Sequence, residues 1–352
     1  MSSKVAVIEF DNSNSIPMKQ ALDLVGGIKN LNTKSRHVVI KVGVFHPEAE
    51  NHTSVGVLNS IVGSFDKAPK IFVTESDNYK GTGSERLQIW KELYSKRVVD
   101  FNLSNDLELR KASIASQEMN LSHILFKPNV FVDTHILRSF KDGSILKNLF
   151  GCIMDTKRVK YHKILPTLLA DVYEAIGGID LAVIDGTYLW HGAGSDPIQT
   201  NTILVGKDAV AVETVGAILT GLNPQEMPVI REFAKRDLGE ANIENIKVLG
   251  TPLEKIQEKI AALQKNKKKQ PSQSGPQTWG GQAHRLLKEL TRDGFFKEPQ
   301  KKTLDEVIKA FQTRGLPTKN KEKNITKALA LRVKKGLLKK NKPQNGKAYW
   351  TS

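Results

Sequence analysis

Cysteine is nearly missing from this sequence: Cys152 is the only one in 352 residues. One thiol excludes an internal disulfide, a zinc finger and an iron–sulfur cluster held by this chain alone. Its context, Leu149-Phe150-Gly151-Cys152-Ile153-Met154, fits a buried and inert thiol. Long hydrophobic runs are missing too. None approaches the roughly 18 apolar residues of a membrane span, so no membrane partner is expected. The opening Met-Ser-Ser-Lys-Val-Ala-Val-Ile-Glu-Phe-Asp turns acidic and polar too early for a signal peptide, and the expected compartment is the cytoplasm. The 8 histidines never recur at His-x-x-x-His or His-Glu-x-x-His spacing, so no metal site is expected from them.

Acidic charge is scarce at one end. Residues 265–352 hold 23 lysines and arginines against 6 acids, which leaves 30 basic and 31 acidic side chains in residues 1–264. A near-neutral body therefore carries a strongly basic C-terminal segment. Such segments meet polyanions, because neutralising phosphates releases condensed counterions. The plain alternative is a solvated lysine tail.

The body alternates β-branched runs with helical stretches, which predicts an α/β layered domain over 1–264 with a mainly parallel central sheet. Strands are expected at Val5–Phe10, His37–Val44, Lys70–Thr74, Ile124–Val132, Ile179–Ile184 and Asn245–Gly250. Helices are expected at Ile16–Lys29, Thr53–Phe65, Gly83–Leu93, Tyr161–Ile176, Ala209–Leu219, Pro224–Asp237 and Pro252–Gln264. Several strands are apolar at both parities, as strands covered on both faces must be. Lys265–Gln277, rich in Lys, Pro, Ser and Gln, reads as a flexible basic linker.

Apolar spacing then resumes over 278–352. Ala283, Leu286, Leu287 and Leu290 share one face of a helix that stops at Gly294. Thr303 and Glu306 form a capping box before a second helix, faced by Leu304, Val307, Ile308 and Phe311 and ended by Gly315-Leu316-Pro317. A third helix turns Ile325, Ala328, Leu329 and Val333 inward and ends at Gly336. An Asn345-Gly346 turn between the apolar ends of Leu337–Trp350 signals a hairpin. Three helices and a hairpin in this order predict a small winged helix-turn-helix domain.

That packing puts Lys323, Lys327, Ala330 and Lys334 on the opposite face of the third helix, with Thr326 beside them. A narrow, basic, hydroxyl-bearing face suits entry into a major groove. Lys339, Lys340, Lys342 and Lys347 on the hairpin would reach flanking phosphates. Lysine makes point contacts to phosphate more than bidentate contacts to bases, so sequence specificity is expected to be modest. DNA is favoured over RNA, whose double-stranded form hides its major groove from helices. A winged-helix fold used for protein contacts is the alternative.

Three segments of the body stand out: Val38–Leu58, Phe131–Ile153 and Ile179–Pro224. The second contains Lys147-Asn148-Leu149-Phe150-Gly151. The third contains Asp185-Gly186, Gly192-Ala193-Gly194-Ser195-Asp196-Pro197 and Gly206-Lys207-Asp208-Ala209-Val210-Ala211-Val212. Together they resemble the domain-of-unknown-function 362 family over roughly residues 1–250. The resemblance implies a fold and a pocket more than a reaction. This chain has Lys41-Val42-Gly43 where relatives have Lys-Pro-Asn. It has His135-Ile136-Leu137-Arg138-Ser139-Phe140 where they have Pro-Lys-Leu-Lys-Thr-His, so Arg138 stands at a lysine position and Phe140 at the histidine. The ferredoxin-like cysteine motifs of many relatives are absent.

Read from the residues alone, the same segments point to an anion site beyond the carboxyl ends of strands. Lys41, Arg138 and Lys147 supply charge, and glycine-rich backbone at Gly192 and Gly194 can present N–H groups. Asn148, Asp185 and His191 complete the candidate set. Asp185 has two other readings, a metal ligand with Asp196 or His191, and a simple Asp-Gly turn. The expected function is that of a nucleic-acid-binding regulator, with DNA as its partner, whose body binds a small anionic metabolite. The alternatives are an enzyme of unknown reaction with a basic tethering domain, and a non-catalytic ribosome- or RNA-associated factor.

Overall fold

A computed structural model describes residues 2–11, 16–46, 51–191, 197–269, 279–297, 301–319, 321–334, 337–341 and 348–350. Contacts divide the chain into two units, Met1–Gly192 with Pro197–Asn266, and a second within Lys267–Ser352.

The described strands of the first unit are β1 (Ser3–Glu9), β2 (Val38–Val42), β3 (Ile71–Glu75), β4 (Val98–Asn102), β5 (Leu109–Ile114), β6 (Gln117–Ser122), β7 (Val130–Arg138), β8 (Leu181–Trp190), β9 (Ile198–Gly206) and β10 (Ile246–Gly250). Eight of them build one sheet in the order β10-β1-β9-β8-β7-β2-β3-β4, and β5 and β6 pair as a separate hairpin. β9 runs antiparallel to β1 and β8, and the remaining neighbours are parallel. The α/β body with its mostly parallel sheet therefore stands as the runs of β-branched residues predict.

Alternate side chains of each strand enter two cores. Val38, Ile40 and Val42 pack with Met18, Leu22, Val57, Leu58 and Ile61 from α1 (Met18–Leu24) and α2 (Val55–Ser64), on the same face as α3 (Gly83–Leu87). Val39, Phe131 and Leu204 pack on the other face, with Leu146, Leu168, Val172, Val215 and Phe233. Those residues come from α4 (Ile145–Asn148), α5 (Leu165–Ile176), α6 (Ala209–Leu219) and α7 (Pro228–Lys235). Ile256 and Ile260 of α8 (Leu253–Lys269) join the second core.

Three expectations are corrected. The strand placed at Ile124–Val132 starts at Val130, after a 3₁₀ turn at His123–Leu125. Pro128 lies in the expected span and has no N–H to give a ladder, so a central strand cannot run through it. The strand ended at Ile184 continues to Trp190, which puts Asp185 inside β8 rather than beyond its end. α8 continues to Lys269 and so covers the first five residues of the expected linker; the rest of that linker, 270–277, lies outside the described residues. No strand is expected from the sequence at β4, β5, β6 or β9.

In the second unit, α9 (Trp279–Arg292), α10 (Leu304–Thr313) and α11 (Glu322–Lys334) accompany an antiparallel sheet in the order β11 (Lys302–Thr303), β13 (Ala348–Trp350), β12 (Lys339–Asn341). Leu287, Leu290, Phe296, Val307, Phe311, Ile325, Leu329 and Tyr349 form its buried core. The capping box is made: Glu306 N donates to Thr303 Oγ1 at 3.3 Å and Thr303 N donates to Glu306 Oε2 at 2.7 Å. The Asn345-Gly346 turn lies outside the described residues. Among the described residues no helix is long and apolar enough to cross a membrane.

Candidate functional site

β2, β3 and β7 are neighbours and run parallel, so their carboxyl ends open on one edge of the sheet. Lys41 stands near the end of β2, Glu75 ends β3 and Arg138 ends β7. Just past β7, Lys147 and Asn148 sit on α4. These side chains converge on a pocket of about 200 Å³.

The pocket floor is a buried polar network. Lys41 Nζ contacts Glu75 Oε1 at 3.0 Å and donates to Asn148 Oδ1 at 3.2 Å and to the Val42 carbonyl at 2.9 Å. Glu75 Oε2 lies 3.7 Å from Arg86 Nη1 and accepts from Val44 N at 3.3 Å. A buried pair of this kind adds little net stability when intact. Losing one partner leaves a desolvated charge behind, at about 3–5 kcal/mol. Gly151 makes room for it, since a Cβ there would stand 2.6 Å from Lys41 Nζ.

Asn148 ties the floor to β7. Its Nδ2 donates to Asp133 Oδ1 at 2.8 Å and also to the carbonyls of Lys41 and Thr134. Burial pushes the Asp133 carboxyl up to about 8, opposed by the Asn148 hydrogen bond and the Lys41 charge. Asp133 Oδ2 is buried with no hydrogen-bond partner among the described residues. His135 accepts from Ile136 N at 2.7 Å through Nδ1, which leaves its proton on Nε2. Burial holds the ring well below the ordinary histidine range, helped by the charges of Arg138 and Lys41, so it is neutral. Gly43 is required beside it, because a Cβ would overlap the His135 ring.

Arg138 and Lys147 form the wall. Arg138 Nη2 donates to the carbonyls of Gly143 (2.7 Å) and Ser144 (3.3 Å), and its guanidinium lies over Phe140 at 5.3 Å. The residue standing at the resemblance's histidine position thus flanks the arginine. Burial pushes Arg138 down to about 10 and also lowers Lys147, against the pull of Asp142 at 3.3 Å. Beneath the 143–146 turn, buried Glu213 accepts from Ser144 N and Leu146 N. Burial raises Glu213, and those two hydrogen bonds and Arg138 oppose the rise. Cys152 is buried nearby, its thiol pushed up to about 12 by desolvation, and is inert on that account.

Four of the eight expected ligand residues therefore line one pocket: Lys41, Arg138, Lys147 and Asn148. Asp185 and His191 are not among its lining residues. Asp185 is spent within the fold: it accepts from Ser54 N, at the start of α2, at 2.7 Å and from Thr187 N and Oγ1 at 2.9 and 2.6 Å. His191 pairs with Ser139 Oγ at 2.8 Å and Gln264 Nε2 at 3.2 Å. Gly192, Gly194 and Asp196 lie outside the described residues. Among the described residues no group of three His, Cys, Asp or Glu could hold a metal ion. Glu75, Arg86, His135, Phe150 and Arg158 also line the pocket and were not foreseen. An acid ending a short strand, as Glu75 does, was the one available signal.

In the second unit, Ile325, Ala328 and Leu329 of α11 are buried while Lys323, Lys327, Ala330 and Lys334 are exposed. Thr326 is half-buried, and its hydroxyl donates to the Glu322 carbonyl at 2.9 Å. Lys339 and Lys340 of β12 are exposed; Lys342 and Lys347 lie outside the described residues.

A protein-family comparison matches residues 38–218 to the family described as Domain of unknown function (DUF362). The match runs from β2 to α6 and so contains the whole pocket. A search of the curated proteins found no match.

Proposed function

Given a chain that belongs to the DUF362 family, we propose that it is a nucleic-acid-binding protein, with duplex DNA as its partner, whose α/β body binds a small anionic ligand. The C-terminal unit is read as a winged helix. Its element order of α9, β11, α10, α11, β12 and β13 supports that reading. In it α11 would be the helix presented to the major groove and β12–β13 the wing.

The observation that carries the nucleic-acid reading is the exposed row Lys323, Lys327 and Lys334 on α11, back to back with buried Ile325 and Leu329. A helix held by one apolar face and basic on the other presents charge at a fixed spacing, which a solvated tail cannot do. For the body, the supporting observation is that Lys41, Arg86, Arg138, Lys147 and Arg158 line the pocket against a single lining acid, Glu75.

The test is competition on the full chain. Labelled duplex DNA is bound, then displaced by unlabelled duplex, structured RNA or ribosomes of matched phosphate concentration. Duplex should compete best. Displacement by RNA or ribosomes at markedly lower concentration would overturn the DNA reading in favour of an RNA-associated factor.

A further inference from the structure

The cations of the pocket are unequally free. Lys41 Nζ is spent on Val42, Asn148 and Glu75. Arg86 gives Nε, Nη1 and Nη2 to the carbonyls of Thr82, Val44 and Ser76. Arg158 gives its two terminal nitrogens to Ser76 Oγ and to the carbonyls of Phe150, Ile153 and Asp77. Arg138 differs: its buried Nε has no hydrogen-bond partner among the described residues. Lys147 differs as well, since an ammonium has three donors and this one has a single carboxylate at 3.3 Å. The unspent positive donors thus come from two side chains, at the end of β7 and on α4.

The apolar side of the pocket is aromatic. Phe150 meets His162 edge to face at 5.4 Å, and Lys147 Nζ lies 4.9 Å from the centre of the Phe150 ring. Phe45 and Tyr79 make a second edge-to-face pair at 5.6 Å. They are 49% and 67% exposed, so two large rings stand open to solvent beside a basic pocket.

We propose that this pocket takes a small aromatic carboxylate, with the carboxylate on Arg138 and Lys147 and the ring against Phe150 and the Phe45–Tyr79 pair. The proposal rests on the reading of the body as an anion binder and names the anion's class. Two donor side chains match the two oxygens of a carboxylate, and charge-assisted bonds to both are the strong kind. The ring would cover aromatic surface that is now wet, in offset or edge-to-face contact. Size agrees. About 200 Å³ is smaller than the roughly 300–1,000 Å³ of sites for drug-sized ligands. It suits a single substituted ring and excludes full burial of a nucleotide.

Calorimetric titration of the full chain with four probes tests this: benzoate, acetate, benzamide and inorganic phosphate. Benzoate should bind at least tenfold more tightly than the other three, and Lys147→Met should weaken it at least tenfold. Arg138→Met is the second variant, with folding of both checked by circular dichroism. Phosphate or acetate binding as well as benzoate would overturn the aromatic carboxylate while leaving the anion-binding reading intact. Benzamide binding as well as benzoate, or no probe binding, would overturn both. Benzoate binding that neither variant weakens would move the site elsewhere and overturn the proposal.

Discussion

Asp133 shows how one carboxyl can serve a pocket it does not line. It sits on a central strand, held by Asn148, which in turn meets Lys41. Burial keeps its carboxyl protonated up to about 8. In the unfolded chain the same group titrates at about 4. Between those values the folded protein keeps a proton that the unfolded chain has released, so stability falls as pH rises and levels off above about 8. Asp133→Asn keeps the shape and does not titrate. Urea midpoints measured from pH 4 to pH 8 should fall less steeply for that variant than for the unaltered protein. Some fall should remain, because burial also raises Glu213. Parallel curves for the two proteins would contradict the assignment.

At the scale of elements, α11 carries the sharpest division between support and surface. Leu329 is wholly buried among the core of the second unit, while Leu331, two residues on, is 41% exposed. Truncating a buried leucine costs about 2–5 kcal/mol, and an exposed one typically within ±0.5 kcal/mol. Leu329→Ala should therefore speed hydrogen exchange in peptides of 279–350 strongly, with body peptides unchanged, and Leu331→Ala should not. Equal effects would mean that α11 is not packed by that face. The same division was legible in the sequence, because a 3.6-residue period reports which side is apolar whatever the helix packs against. Most of the parallel strands were legible too, since both faces are covered and their runs are largely apolar; β4 was not, because Asp100 and Asn102 break its run. Where reading failed, the signal was not periodic. Gly-rich and polar residues around 192–201 hid β9 inside a recognisable motif, and Pro128 displaced β7 toward its carboxyl end. Lys41, Arg138 and Lys147 could be named because charged residues in or just after apolar runs are conspicuous, and Asn148 because it stands beside Lys147 in the Lys-Asn-Leu-Phe-Gly segment. Arg86 and Arg158 could not, because Arg86 reaches the carbonyl of Val44 and Arg158 that of Asp77, partners far off in the sequence that only folding brings near.

At the scale of the molecule, a near-neutral body with a basic pocket shares its chain with a C-terminal unit that carries the charge. Residues 265–352 hold the whole positive excess, and their exposed lysines on α11 and β12 give it a surface. Phosphate contacts of this kind set a salt dependence, with each one adding roughly 0.9 to the slope of log affinity against log salt. The most direct measurement is the affinity of the full chain for duplex DNA across a salt series, beside that of the Lys327→Glu, Lys334→Glu double variant. The unaltered chain should show a steep slope, and the variant a slope shallower by about 2 with much weaker binding at low salt. A shallow slope in the unaltered chain, or indifference to the two charge reversals, would mean that α11 does not bind DNA phosphates.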